Sequence, residues 1–142
     1  MPQRTAEAAW SGSLMDGKGQ ITLGSKAFNG PYDWRGRAGD GAGTNPEELL
    51  GAAHAGCFSM AFSHELSQAG HPPASVHTTA KVTFDKKGEG FAITRIDLVT
   101  LAKVPGIDEA TFQKLAKGAK ENCPVSKALS ATPITLDAKL SK

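Results

Sequence analysis

Apolar and polar positions alternate most regularly in the second half of the chain. Val76, Thr78, Ala80, Val82 and Phe84 share one period-two face, and a second run from Phe91 to Val104 follows after the polar turn DKKGEG. This predicts a hairpin of two strands. Ile134, Leu136, Ala138 and Leu140 alternate with Thr135, Asp137 and Lys139 near the end, which predicts a half-buried strand. Between these runs, VPGIDEATFQKLAKGAKEN changes to helical spacing, with Phe112, Leu115, Ala116 and Ala119 on one face and Asp108 as its cap. CPVSKALS follows as a short helix opened by Pro124.

The first half is patterned differently. Ala6 to Trp10 and Gln20 to Phe28 read as a hairpin around the turn MDGKG, and NGPYDWRGRAGDGAG (29–43) is so rich in Gly that no regular element is expected there. Asn45, Pro46, Glu47 and Glu48 then make a strong helix start, and no proline interrupts the chain before Gly70. A helix over most of 46–69 is predicted, with Gly51 and Gly56 as points where it can bend. From Leu49 to Phe62 it is apolar or small nearly all round, the pattern of a buried helix. The element order predicts an α+β fold of mainly antiparallel strands in one domain, residues 1–142. So small a chain cannot surround such a helix alone, so a close homodimer is expected.

Composition narrows the picture further. The 142 residues carry 16 Lys and Arg against 14 Asp and Glu, for a formal net charge of +2, dispersed rather than bunched, which argues against a nucleic-acid footprint. No run is apolar enough for a membrane span, and the N-terminus lacks the apolar core of a secretory signal, so a cytoplasmic protein is expected. In that reducing compartment the two cysteines, Cys57 and Cys123, are not expected to form a permanent disulfide, while a transient one stays open.

Three readings of Cys57 stand side by side. Mid-helix and desolvated, it can be an inert core thiol; three residues after His54 it can be a metal ligand; or it can be a nucleophile activated from elsewhere. No CxxC or HExxH pattern supports a metal, and His64 lies about 15 Å from His54 along a straight helix. His71 and His77 read as surface residues. Cys123, just ahead of Pro124 at a helix start, has free N–H groups beside it and ranks as the more nucleophilic thiol on local electrostatics. GRAGDGAG lacks a phosphate-loop pattern, but Arg35 or Arg37 within the same loop is a candidate cation for a thiolate.

GTNPEELLGAAHAGCFSMAFS around Cys57, ENCPVSKAL around Cys123, and the intervening GFAITRIDL and VPGIDEATFQKLAKGAK together resemble the OsmC/Ohr family of bacterial thiol peroxidases. The HAGCFSMA and VPGID forms resemble its OsmC (osmotically inducible) branch. The resemblance covers nearly the whole chain. It implies an OsmC-like fold, with antiparallel sheets packed around a buried central helix in an intertwined homodimer, and reduction of organic hydroperoxides in defence against oxidative and osmotic stress.

It also implies roles. Cys57 is expected to be peroxidatic and Cys123 resolving, closing a Cys57–Cys123 disulfide, which reverses the local electrostatic ranking. Arg37 is expected as the activating cation, held by Glu47, with Arg35 and Glu48 as the neighbouring alternatives. Phe58, Met60 and Phe62 are expected to receive the alkyl group. Regeneration is expected from an external dithiol, a lipoyl carrier or a thioredoxin-like protein, and no metal, haem or flavin is implied. The competing class is a non-catalytic OsmC-like binder of a hydrophobic ligand, which needs no such set of two cysteines, arginine and glutamate.

Overall fold

A computed structural model describes residues 1–142 and divides them into two compact units, Met1–Leu49 and Leu50–Lys142. In the first unit β1 (Ala6–Ser11), β2 (Lys18–Leu23) and β3 (Asn29–Tyr32) form an antiparallel sheet in the order β1-β2-β3. The expected strand over 20–28 therefore stops at Leu23. Lys26 adopts a left-handed conformation (φ 66°) in a turn closed by Leu23 N–H donating to the Phe28 carbonyl at 3.0 Å, and the chain turns back.

The glycine-rich stretch is more ordered than its composition predicts. Besides β3 it holds a short helix, α1 (Trp34–Ala38), because the Asp33 carboxylate accepts the Gly36 amide at 2.8 Å and so caps it. The segment then closes on itself: the Thr44 amide donates to the Pro31 carbonyl at 3.0 Å. Gly43, at φ +98°, makes that approach possible, since a Cβ there would lie 2.6 Å from the same carbonyl oxygen.

Helix α2 (Pro46–Gln68) starts where its signals predict, with Asn45 Oδ1 accepting the Glu48 amide at 2.7 Å. It ends on Gly70 (φ +86°), where the His71 amide reaches back to the Leu66 carbonyl at 2.9 Å. The second unit carries β4 (Ser75–Lys87) antiparallel to β5 (Gly90–Lys103), and β6 (Ile134–Ser141) parallel to β5. A parallel pair needs a crossover. It is supplied by α3 (Glu109–Asn122), capped by Asp108 accepting from the Thr111 amide at 2.9 Å, and α4 (Pro124–Ala128).

The core of this unit is formed by one stripe of α2 (Phe58, Phe62, Leu66), the inner face of β5 (Ile96, Leu98, Ala102) and the α3 face Phe112, Ala116 and Ala119. The helix expected to be buried all round buries only this stripe, together with Glu47, Gly51 and His54. Ala52, Ala53, Gly56 and Met60, the last 76% exposed, face outward on the chain by itself. Phe62 is the keystone of the packing, its ring centroid 5.6 Å from that of Phe58 and 5.3 Å from that of Phe112. Phe62→Ala should therefore destabilise the protein by about 3–5 kcal/mol, read as a lowered urea midpoint at unchanged slope. No helix is long and apolar enough to cross a membrane.

Candidate active site

The second unit brings its two cysteines together. Cys57 lies near the middle of α2 and is partly exposed, whereas Cys123 is completely buried at the corner between α3 and α4. That corner is a fixed piece of backbone. The Cys123 amide donates to the Ala119 carbonyl at 2.9 Å as the last turn of α3, and its carbonyl accepts from the Lys127 amide at 3.0 Å as the first turn of α4. Pro124 at the first helical position cannot donate, and the amides that follow, Val125 and Ser126, lie in the first turn of α4, outside its own hydrogen-bond ladder.

The two thiols are close enough to influence each other's ionisation, and the Val125 amide acts on both. Burial pushes the Cys57 thiol up, and its neighbour Cys123 adds to this against the opposing Val125 amide. Burial also pushes Cys123 up. There it is outweighed by the Ser126 amide, the Cys57 thiol, the Ser126 hydroxyl and the Val125 amide, so Cys123 ionises below the ordinary thiol range. Of the reduced pair, Cys123 is therefore the more acidic thiol, the order that helix-start electrostatics predicts from the sequence.

In the first unit, Arg37 holds Glu47 through two parallel contacts, Nε to Oε1 and a terminal nitrogen to Oε2, each 3.0 Å. This is a fork-to-fork pair, and Glu47 is only 6% exposed. Its neighbours do other things: Arg35 is exposed, and Glu48 accepts the Thr44 hydroxyl at 2.8 Å. The Asp33 cap that makes α1 puts Arg37 on the helix's last turn, and the α2 start positions Glu47.

Beside Arg37 is a cavity of about 270 Å³ lined by Trp10, Leu14, Tyr32, Trp34 and Pro46. It is apolar apart from that guanidinium and Asp33, and the Trp10 and Tyr32 rings meet at 5.4 Å. Phe58 and Phe62, expected from the sequence to receive an alkyl group, are both wholly enclosed in the core, because the α2 stripe they occupy faces β5 and α3. Met60 points outward on the opposite side. The aromatic residues ahead of α2 went unremarked as site residues, although Tyr32 and Trp34 directly flank the arginine loop.

No group of three or more His, Cys, Asp or Glu side chains has an arrangement that could hold a metal ion. His54 is instead fully buried, its Nε2 2.7 Å from the Ser126 hydroxyl. Sequence reasoning did not single out Ser126. The available signal was a histidine inside an apolar helical run, which needs a polar partner from somewhere.

Residues 39–139 match the OsmC family, described as OsmC-like protein. The chain is 49% identical over 138 residues to the peroxiredoxin OsmC of Escherichia coli K12, covering 96% of both chains. It is 30% identical over 132 residues to an organic hydroperoxide resistance protein of Xanthomonas axonopodis pv. citri, covering 89% of each. Among solved structures, OhrB of Bacillus subtilis, an organic hydroperoxide resistance protein, superposes with a TM-score of 0.69 at 25% identity, over 96% of this chain and 98% of that one. With a matching fold and relatives that span nearly its full length, the chain belongs to the OsmC family.

Proposed function

We propose that this protein is a thiol peroxidase that reduces organic hydroperoxides to alcohols. The observation that carries it is the thiol pair, two cysteines close enough to shift each other's ionisation, of which only Cys57 is open in part to an incoming substrate. The Cys57 thiolate attacks the distal peroxide oxygen; the O–O bond breaks, the alkoxide leaves and takes up a proton, and Cys57 is left as a sulfenic acid. Cys123 then attacks that sulfur. The S–O bond breaks, hydroxide leaves and is protonated to water, and a disulfide joins the two residues.

Burial raises the pKa of Cys57, so the first step needs a cation near its sulfur. By resemblance to the family that cation is Arg37, oriented by Glu47, and their bidentate geometry supports the pairing. The apolar cavity beside Arg37 suits the organic part of the hydroperoxide better than the core rings Phe58 and Phe62 do. An external dithiol, a lipoyl carrier or thioredoxin-like protein, returns the disulfide to two thiols in the reducing cytoplasm. The outward face of α2, Ala52, Ala53, Gly56 and Met60, supports assembly as a homodimer, since it leaves an apolar helix face for a second copy to cover.

Treating reduced protein with cumene hydroperoxide and mapping disulfides by mass spectrometry tests the reading. One equivalent should yield a Cys57–Cys123 linkage and one equivalent of alcohol. Cys123→Ser should stop after a single oxidation, with a sulfenic acid that dimedone captures on Cys57. Captured sulfenic acid on Cys123 of the wild-type protein instead, with Cys57 unmodified, would reverse the two roles.

A further inference from the structure

His54 and Ser126 are 72 positions apart, yet both are buried and their side chains meet at 2.7 Å. The peroxidase chemistry set out above does not use either. Ser126 is buried in the first turn of α4, three residues after Cys123, and its amide and hydroxyl both act to hold that thiol below its usual range. A continuous polar path thus runs from α2, through the first turn of α4, to the second thiol.

Its direction follows from what each atom can afford to leave unpaired. His54 Nδ1 is enclosed and has no hydrogen-bond partner. A proton there would be an orphaned buried N–H, a rarer and more costly defect than an under-used acceptor. Burial holds the ring below its usual pKa, so it is neutral with its single proton on Nε2. Nε2–H then donates to Ser126 Oγ, and the one hydroxyl hydrogen of Ser126 is left free for the Cys123 sulfur. The path is a chain of donors ending on sulfur.

We propose that His54 and Ser126 are positioning residues for disulfide closure: their hydrogen-bond chain orients a donor onto the Cys123 sulfur and holds it as the thiolate that attacks the Cys57 sulfenic acid. The step is balanced as written above, with the Cys123 sulfur oxidised, the Cys57 sulfur reduced from sulfenic to disulfide level, and hydroxide as leaving group. The role in closure rests on the peroxidase reading, whereas the donation to sulfur does not. The titratable side chains on this path are Cys57 and His54, both on α2; the charged residues flanking Cys123 on α3 and α4, Glu121 and Lys127, are exposed, and the facing strand positions Ile96, Leu98 and Ala102 are apolar.

The test has two parts. In the Cys57→Ser background, the ultraviolet absorbance of the thiolate titrates Cys123 without any peroxide; adding Ser126→Ala or His54→Phe should move its midpoint up by about one pH unit, as expected for losing a hydrogen bond to a charged sulfur. His54→Gln, which keeps a side-chain N–H donor, should restore most of the shift. In the otherwise wild-type protein, rapid mixing with hydroperoxide separates oxidation of Cys57 from closure. Closure should slow about tenfold at neutral pH in Ser126→Ala, and the defect should vanish at alkaline pH where Cys123 is ionised in any case. An unmoved midpoint in both variants, or a closure defect equal at every pH, overturns the proposal. Failure of wild-type Cys57 to oxidise at all counts against the peroxidase reading alone, and the titration still decides the hydrogen-bond chain.

Discussion

Cys57→Ser should lower hydroperoxide consumption to the uncatalysed background, a loss of about a thousandfold or more. Sulfur and oxygen are close in size, and the site is only partly buried, so the substituted helix keeps its core stripe of Phe58, Phe62 and Leu66. A serine hydroxyl, however, does not ionise near neutral pH, and no nucleophile remains where substrate enters. Cys123, although the more acidic of the two, is completely enclosed. Acidity and access are thus divided between the two thiols, and the prediction is that access decides. The measurement is the rate of tert-butyl hydroperoxide loss with excess dithiol. Consumption at the wild-type rate in Cys57→Ser would make this residue a piece of core and hand the chemistry to its neighbour.

Arg37→Ala should slow the first oxidation about 10- to 100-fold, the equivalent of losing a hydrogen bond to a charged group worth roughly 1.5–3 kcal/mol. Arg35→Ala, two residues away and exposed, should change it by less than about twofold, in line with a solvated surface charge. The structural reason for the contrast is the fork: Arg37 offers two nitrogens to the two oxygens of Glu47, each at 3.0 Å, and is thereby held in one orientation. For the same reason Arg37→Lys should recover little, since an ammonium cannot make the parallel pair. Single-turnover oxidation of Cys57 in the Cys123→Ser background measures this step alone. A larger defect in Arg35→Ala than in Arg37→Ala would move the role to Arg35.

Much of this is legible in the sequence where the cause is local. The α2 start, the Asp108 cap, the β4–β5 hairpin and the alternation of β6 follow from residues that touch their own neighbours along the chain. The polarity of the Cys123 corner is local too, because a proline at the first helical position leaves the next amides free. Features made by distant partners are not legible. Nothing in Ile134–Ser141 says that it lies parallel to β5, since a half-buried strand has the same alternation in either direction. His54 and Ser126 find each other only after the crossover folds back on α2. Phe58 and Phe62 can read as core or as pocket, core being the commoner use of such side chains, and the face they occupy puts them in the core. α1 is a different failure: glycine content argued against any helix, and the single Asp33 cap outweighed it.

The position of Cys123 as both the end of α3 and the beginning of α4 constrains how the chain length between the two cysteines can vary. Each residue added to or removed from a helix turns everything beyond it by about 100°, so an insertion or deletion in α3 would swing the sulfur away from α2. One in the first turn of α4 would take Val125 and Ser126 off the thiols. The turn between β4 and β5 has no such stake: Lys87 through Gly90 is exposed, and Gly88 and Gly90 have open space around them. Natural relatives that differ in the number of residues separating their cysteines are expected to carry the difference at that turn.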